Sequence, residues 1–287
     1  MRKLLNSLAN MKTNKLVLGT VQFGCQYGIN SAGKPDTQMV SEILEEAYNG
    51  GIVLLDTSAA YGNAEEVLGE TSAAHKFQII SKYPKCDKEV REVLDNSLQN
   101  LGCSKLYGYL LHHFSVYTEN KAVWNDFVQL KAEGKVKKIG FSLYEPHELD
   151  LILEDGIPFD LIQIPFNIFD RQFEPYFERL KQMNVEIHVR STFLQGLFFK
   201  DRDALPEKLL PLKPYLVALD RYANEIGLSV AEIALNYNIQ NPHIDGVLIG
   251  VDTKDQLLTN FQSVSEKHVE LSIEVKETEL LKPINWK

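Results

Sequence analysis

Four polar residues end or follow short apolar runs and could together move a proton. Asp56 ends the apolar run in LLDTSAAYGNAEEVLG (54–69), and Tyr61 follows five residues later. Lys82 ends the run FQIISK, and His112 ends the run YGYLLH. A carboxylate can hold a buried lysine charged, and a neighbouring ammonium lowers the pKa of a tyrosine from its usual value of about 10. These residue types therefore predict a site that protonates an oxygen as negative charge develops on it.

Each of these residues alone has a simpler structural interpretation. A strand-end aspartate or serine often caps the following helix, and a strand-end lysine usually reaches solvent. Further polar residues end other apolar runs of the chain, namely Ser142, Gln163, Arg190 and Ser191. Several polar residues on one face favour chemistry over capping, provided that the fold brings the strand ends together.

Short apolar runs alternate with longer segments of helical periodicity along the whole chain. Most of the runs lack the apolar/polar alternation of a one-sided sheet, which is typical of parallel strands covered by helices. Eight runs fit strands: KLVLG (15–19), IVLLD (52–56), FQIISK (77–82), YGYLLH (107–112), KKIGFS (137–142), LIQIP (161–165), VEIHVRS (185–191) and GVLIG (246–250). Eight such units predict an α/β fold, a (β/α)8 TIM barrel with a parallel eight-stranded barrel at its centre.

The predicted barrel is a single domain over residues 1–287, with no Gly/Ser-rich linker or charge block inside it. Its additions are an extended loop after the seventh strand (193–213) and a C-terminal tail after Val264. The alternative is a doubly wound open sheet, but no predicted strand is followed by the G-x-G-x-x-G pattern of that fold. Capping boxes are expected at two helix starts: Ser229 with Glu232, and Thr253 with Gln256.

The composition limits the partners and the compartment. The net charge of −9 argues against nucleic acid and anionic membranes, since both bind positive patches. The three cysteines have no CxxC spacing, which predicts free thiols and no structural metal. The basic N-terminus (1–15) lacks the apolar stretch of a signal peptide, and no segment is long enough to span a bilayer. We therefore expect a cytoplasmic protein.

The LLDTSAAYGNAEEVLG stretch resembles the signature of the aldo-keto reductases, in which Asp, Tyr, Lys and His form a catalytic tetrad on a (β/α)8 barrel. Other segments resemble further motifs of that family, in order along the chain: LGTVQFG (18–24), IISK (79–82), YLLH (109–112), IGFS (139–142), QIPFNIFDR (163–171), RSTFLQGLF (190–198) and IGVDTKDQLLTN (249–260). The resemblance implies that Asp56, Tyr61, Lys82 and His112 are the catalytic residues. The adjacent His113 competes for the histidine role, but the YLLH register favours His112.

The resemblance also implies a nicotinamide cofactor that is bound without a Rossmann domain. Ser142 and Gln163 would hold the carboxamide, and Gly19 and Thr20 would lie near the nicotinamide ribose. The remaining residues implied at the cofactor are Arg190 beside the nicotinamide, then Ser191, Phe193 and Gln195 along the pyrophosphate, and Gly250, Asp252, Thr253, Gln256 and Asn260 in the segment at the adenosine end.

Three positions depart from the family pattern. Leu143 stands where an asparagine is common, so one hydrogen bond to the carboxamide would be missing. Arg190 replaces an aromatic residue that commonly stacks on the nicotinamide. Asp252 stands where a basic residue is common, and a carboxylate there would repel a 2′-phosphate. We expect NADP(H) from the resemblance, with NAD(H) as the alternative because of Asp252.

The leading functional hypothesis is an NAD(P)H-dependent carbonyl reductase or sugar dehydrogenase, in which Tyr61 protonates the oxygen of a small-molecule carbonyl substrate. The charge of Arg190 favours a sugar-like or anionic substrate, whereas packing of Arg190 on a ring or pairing with Asp170 is the structural alternative. A second hypothesis is a catalytically weak nicotinamide-binding barrel that acts as a redox-sensing partner protein. A third is a metal-dependent barrel hydrolase or isomerase, which the lack of an H-x-H pair in the first strand disfavours.

Overall fold

The computed structural model describes residues 15–29, 33–271 and 273–286. Eight parallel strands form a closed barrel in sequence order, and the first strand pairs with the eighth. The strands are β1 (Leu16–Gly19), β2 (Leu54–Asp56), β3 (Gln78–Tyr83), β4 (Leu106–Leu111), β5 (Val136–Ser142), β6 (Leu161–Pro165), β7 (Glu186–Arg190) and β8 (Gly246–Gly250). The predicted (β/α)8 barrel is therefore confirmed.

The predicted strands all exist; β6 and β8 have the predicted bounds, and the ends of the others shift by at most two residues. The largest shift is at β2, which begins at Leu54 and not at Ile52. The preceding helix ends in the pair Gly50 and Gly51, and the amide of Ile52 still donates to the carbonyl of Ala47 in that helix. Ile52 thus completes the helix end before the chain becomes extended.

Helices follow the strands and cover the barrel from outside. Their bounds are α1 (Val21–Gly24), α2 (Thr37–Asn49), α3 (Ala64–Glu70), α4 (Val90–Leu101), α5 (Phe114–Glu119), α6 (Val123–Ala132), α7 (Pro146–Asp155), α8 (Phe177–Gln182), α9 (Lys213–Ile226), α10 (Val230–Ile239) and α11 (Lys254–Gln262). None of the described helices is both long and apolar enough to cross a membrane.

The two predicted capping boxes have different outcomes. At α10, Ser229 and Glu232 each bond to the backbone of the other, so this box is confirmed. At α11, the side chain of Thr253 accepts from the amide of Gln256 at 3.3 Å. The Gln256 side chain accepts from the amide of Asp252 instead of Thr253, so the second box forms only in part.

The core has separate apolar layers that support the polar end of the barrel. Ile80, Leu110 and Leu161 fill the barrel interior, and a larger cluster fills the space between the strands and the helices. A further cluster lies under residues 193–213, which were predicted as a loop and contain the 3₁₀ segments Leu194–Phe199 and Glu207–Leu212. The C-terminal tail joins this cluster through residues such as Leu281.

The expectation of one domain over residues 1–287 extends beyond the part of the chain that the structure describes. Residues 1–14, 30–32, 272 and 287 lie outside the described residues. The expectation about a signal peptide concerns the N-terminal part of this set and likewise lies outside the described residues.

Candidate active site

Asp56 and Lys82 form a buried ion pair at the carboxyl end of the barrel. Lys82 Nζ lies 2.6 Å from Asp56 Oδ1, and both side chains are almost fully buried. The ammonium also donates to the carbonyl of Thr57 at 2.9 Å and to Tyr61 Oη at 3.4 Å. A buried charge is tolerated only when it is paired and hydrogen-bonded, and here all three ammonium hydrogens have an acceptor. The predicted contact between the ends of β2 and β3 is present.

Gln163 supports the same ion pair from β6. Its amide nitrogen donates to Asp56 Oδ2 at 2.7 Å, so both carboxylate oxygens of Asp56 accept a hydrogen bond. The side-chain oxygen of Gln163 has no hydrogen-bond partner among the described residues, and neither does the hydroxyl of Ser142, its register neighbour on β5. With respect to the described residues, the ends of β5 and β6 therefore present one hydroxyl and one amide oxygen that have no hydrogen-bond partner.

Tyr61 is held by the loop between β2 and α3. Its amide donates to the carbonyl of Ser58 at 3.0 Å, and its carbonyl accepts from Ala64 at the start of α3. The short helix α1 packs against this segment at Gly24, where an added Cβ would lie 1.7 Å from the carbonyl oxygen of Tyr61. Only glycine permits such a close approach of two backbones. The position of Tyr61 thus depends on a residue of α1.

The pKa of Tyr61 differs from the sequence-based expectation. Burial raises the pKa of the phenol well above 10, the nearby Asp56 carboxylate adds to the rise, and Arg190 opposes it. The expected lowering of this pKa is contradicted, because burial of the ring and the Asp56 carboxylate outweigh the effect of the neighbouring positive charge. The phenol therefore keeps its proton at neutral pH. Its hydroxyl accepts from Lys82, and the hydroxyl hydrogen has no acceptor among the described residues.

His112 lies directly after β4 and beside Tyr61. The two rings meet edge to face, with 5.7 Å between centroids, and His112 Nδ1 lies 3.1 Å from Ser58 Oγ. Burial, followed by the charges of Lys82, His113 and Arg190, lowers the pKa of His112 to about 2. The ring is therefore neutral at physiological pH. Its neighbour His113 is exposed and stacks on the outer side of His112 at 4.8 Å, which fits the choice of His112 from the YLLH register.

Arg190 lies at the end of β7, near the same residues. Its guanidinium stacks 4.1 Å above the Tyr144 ring, and Nη2 donates to the carbonyl of Leu143 at 2.9 Å. The packing on a ring that was one structural alternative is thus present, whereas no ion pair with Asp170 exists within 4.0 Å. Among the described residues Arg190 has no salt bridge at all, and its Nε is buried without a partner.

The residues expected near the nicotinamide ribose lie beside the ion pair. Gly19 ends β1 in register with Asp56 on one side and Gly250 on the other. The hydroxyl of Thr20 donates to the backbone carbonyl of Asp56 at 3.0 Å. The structure therefore brings Gly19, Thr20, Ser142 and Gln163 to the same end of the barrel as the four predicted catalytic residues.

The loop after β7 has an unusual backbone. Ser191, Leu194 and Gln195 have φ values of 65°, 46° and 51°, in the left-handed region that non-glycine residues rarely adopt. Gln195 donates from its amide to Tyr27 Oη at 2.7 Å and accepts from the backbone of Ile29. The loops after β1 and β7 are therefore tied together across the barrel end. The ring of Phe193 in this loop packs on Phe199, with 5.2 Å between centroids.

The segment after β8 uses some of its predicted ligands internally. Asp252 is buried, and its amide donates to the side chain of Gln256 at 2.7 Å. Thr253 caps α11, and Asn260 is buried within that helix. Lys254 lies 3.9 Å from the carboxylate of Glu42. Gln256 is thus engaged within the protein, and the structure does not bring this segment into contact with Tyr61 or Lys82.

Sequence reasoning missed Ser58, Tyr144 and Tyr27. Ser58 follows Asp56 by two residues inside the motif that was singled out, and Tyr144 follows Ser142 by two at the end of β5. Both positions could have been found by extending the list of strand-end residues into the loops. Tyr27 gives no such signal, since its contact with Gln195 spans 168 residues of sequence.

Within the described residues, no cluster of three or more His, Cys, Asp or Glu side chains could hold a metal ion.

Comparison with known proteins gives the same family that the sequence motifs resemble. A family model of the aldo/keto reductases matches residues 15–277. An uncharacterized oxidoreductase, YqkF of Bacillus subtilis, is 23% identical over 286 residues, with 90% of each chain covered. The L-glyceraldehyde 3-phosphate reductase of Escherichia coli is 24% identical over 269 residues, with 78% of each chain covered.

A solved structure supports the fold. An aldo-keto reductase from Bacillus halodurans, in its holo form, superimposes with a TM-score of 0.72 at 22% identity, and the match covers 93% of this chain and 91% of that one. The match to the family model spans most of the chain and includes all eight strands. The chain therefore belongs to the aldo/keto reductase family and is an oxidoreductase.

Proposed function

We propose that this protein reduces an aldehyde or ketone to an alcohol, or catalyses the reverse reaction, with NADP(H) as cofactor and Tyr61 as the proton donor. The observation that carries the proposal is the position of Tyr61 Oη. It lies 3.4 Å from the buried ammonium of Lys82, its hydrogen has no acceptor among the described residues, and His112 stands beside it. A protonated phenol next to a fixed positive charge suits an oxygen that becomes negative during reaction.

The proposed catalytic residues have separate roles in the transfer of one proton. Tyr61 gives its proton to the carbonyl oxygen as that oxygen becomes an alkoxide. The ammonium of Lys82 then stabilises the phenolate left behind, and Asp56 with Gln163 keeps the lysine charged and in place. His112, which is neutral, can donate a hydrogen bond to the same oxygen. The nicotinamide would supply the hydride that adds to the carbonyl carbon.

The described residues fit a nicotinamide at this end of the barrel. A carboxamide has an NH₂ donor and a carbonyl acceptor, and the free oxygen of Gln163 and the free hydroxyl of Ser142 complement these two groups. For the other end of the cofactor, we propose Thr253 and Asn260 near the adenosine. Thr253 caps α11, and a helix start favours an anion through its free amides. NAD(H) is the alternative, because Asp252 would repel a 2′-phosphate.

We further propose that the substrate carries an anionic group. The positive charge of Arg190 is close enough to the site to influence the pKa of both Tyr61 and His112. Among the described residues its guanidinium forms no salt bridge within 4.0 Å, and it acts on the buried Asp170 carboxyl only at longer range. A relative from Escherichia coli is named for a phosphorylated aldehyde, which supports the same class of substrate.

The decisive variant is Tyr61→Phe, which removes the phenol hydroxyl and keeps the ring. We expect turnover of a carbonyl panel to fall by at least about a hundredfold, because a general acid contributes roughly that much or more. The dissociation constants for NADPH and NADH, measured by fluorescence titration, should change less than about twofold, since Tyr61 Oη contacts Lys82 and not the proposed carboxamide groups. Full reductase activity in this variant would refute the proposed mechanism.

The same titration, combined with the turnover assay, distinguishes the proposed enzyme from the redox-sensing alternative. A protein that binds a reduced nicotinamide tightly but turns over no member of a broad panel of aldehydes and ketones would fit a sensor. A protein that binds and turns over fits the enzyme. The complete set of Asp56, Lys82, Tyr61 and His112 favours the enzyme, since binding alone needs no proton donor.

A further inference from the structure

Ser58 connects two of the proposed catalytic residues. It lies in the loop between β2 and α3, is 1% exposed, and its carbonyl accepts from the amide of Tyr61. Its hydroxyl oxygen lies 3.1 Å from His112 Nδ1 and also 3.1 Å from the amide nitrogen of Ala60. One residue thus contacts both the tyrosine loop and the histidine ring.

The hydrogens around Ser58 Oγ can be counted. A serine hydroxyl has one hydrogen to donate and two lone pairs that accept. The amide of Ala60 can only donate, so it occupies one lone pair. Among the described residues His112 Nδ1 is the only other polar group that bonds to this oxygen. If Nδ1 carried a proton, the serine hydrogen would be buried without an acceptor, which native structures rarely tolerate.

The satisfied arrangement therefore has the Ser58 hydroxyl donating to Nδ1. The imidazole is neutral at physiological pH, so it carries a single hydrogen. With Nδ1 as an acceptor, that hydrogen is on Nε2, which lies on the other side of the ring. A neutral histidine otherwise samples both tautomers, and which one is present depends on the partner of the second nitrogen.

We propose that Ser58 is a positioning residue, whose hydroxyl holds His112 in the tautomer with hydrogen on Nε2, so that the ring donates to the carbonyl oxygen of the substrate. The inference rests on the proposed carbonyl reduction. The tautomer matters because a lone pair on Nε2 would repel an oxygen that gains negative charge, whereas an N–H stabilises it.

The direct test is the tautomer of His112 in the free protein. Protein labelled with ¹⁵N at histidine gives the shifts of both ring nitrogens in long-range ¹H–¹⁵N spectra, and a His112→Asn variant assigns the signals among the seven histidines. We expect the wild-type ring to be protonated at Nε2 only and not to titrate down to about pH 5, well below the usual histidine pKa. A proton on Nδ1 in the wild-type protein would overturn the inference.

The matching variant is Ser58→Ala. We expect the His112 signals to move toward a mixture of tautomers and kcat to fall about tenfold, with the dissociation constant for NADPH unchanged. Ser97→Ala is the control, because Ser97 is an equally buried serine on α4, and it should change neither the His112 signals nor kcat. A Ser58→Ala variant with the wild-type tautomer and kcat would contradict the role.

The two proposals fail in different ways. The tautomer is read from a spectrum without any turnover, so it does not depend on the reaction assigned to the protein. Full activity of Tyr61→Phe would refute the proposed mechanism while the contact between Ser58 and His112 stays measurable. An unchanged His112 spectrum in Ser58→Ala would refute the positioning role while Tyr61 remains the proposed acid.

Discussion

The two sides of the barrel end are built in different ways. On the side of β2, β3 and β4, Asp56 and Lys82 lie at the ends of their strands and His112 follows β4 directly. Every hydrogen of the Lys82 ammonium has an acceptor. On the side of β7, the connecting loop has three non-glycine residues in left-handed conformations, and Arg190 has no salt bridge among the described residues.

This difference suggests separate roles for the two sides of the barrel end. Asp56, Lys82 and His112, three of the residues proposed to handle the proton, gain their geometry from strands whose register is fixed by the barrel. Left-handed backbone at a non-glycine residue costs about 1–2 kcal/mol and persists only where the surroundings enforce it, which is most common at ligand sites. We therefore infer that the β2–β4 side carries the chemistry and the β7 side carries the recognition of ligands.

The largest effect is expected for Lys82→Met, which removes the positive charge of the buried ion pair on the β2–β4 side. This variant leaves Asp56 buried without its counter-charge, so we expect a loss of about 3–5 kcal/mol in the free energy of unfolding, measured by urea denaturation. Turnover should fall at least about a hundredfold, because the phenolate of Tyr61 loses its stabilising charge.

The matched control is Lys85→Met, three residues after Lys82, which removes an exposed lysine that pairs with Glu119. An exposed ion pair is worth about 0–1 kcal/mol, so this change should alter stability by less than that amount and leave turnover intact. Equal destabilisation by the two variants would show that the Asp56–Lys82 pair has no special energetic role.

An intermediate effect is expected on the recognition side at Arg190→Met. Methionine keeps an apolar chain over Tyr144 and removes the charge. We expect kcat/KM for a carboxylated or phosphorylated aldehyde to fall about tenfold, the usual order for one hydrogen bond to a charged group, while neutral aldehydes change less than about twofold. Steady-state kinetics on matched pairs of substrates measure both. Equal losses on neutral and anionic substrates would refute the anionic-substrate proposal.

The smallest effect is expected where the loops after β1 and β7 are tied together. Tyr27→Phe removes the hydroxyl that accepts from Gln195, an exposed hydrogen bond worth at most about 0.5–1.5 kcal/mol. We expect the dissociation constant for the nicotinamide cofactor to rise a few-fold, with kcat unchanged. Tyr48→Phe, at an exposed tyrosine on α2, is the control. If both variants changed the affinity for the cofactor equally, the contact between Tyr27 and Gln195 would have no specific role in cofactor binding.

The sequence was sufficient to predict the barrel and the neighbours on its β2–β4 side. Asp56, Lys82 and His112 end three consecutive strand patterns, and parallel strands in sequence order must bring their carboxyl ends together. The bond between Gln163 and Asp56 was not predictable in this way, since it joins β6 to β2 over 107 residues and depends on which side chains point into the barrel.

The electrostatics of Tyr61 could not be read from the sequence either. The residue types suggested a lowered pKa, but the sign is decided by burial, which depends on packing around the ring. The loop at 193–213 shows the same limit, because its short 3₁₀ segments are stabilised by contacts with α9 and the C-terminal tail and not by a local pattern.

The close approach at Gly24 has a consequence for protein engineering. A designer who copied Asp56, Tyr61, Lys82 and His112 onto another eight-stranded scaffold would reproduce the four side chains. The design would still lack Gly24, whose missing side chain leaves room for the backbone of Tyr61. Any larger residue at the equivalent of Gly24 would displace the loop that holds Tyr61, because its Cβ would lie 1.7 Å from a backbone oxygen. A transferable unit therefore includes, besides the polar residues, a glycine that performs no chemistry.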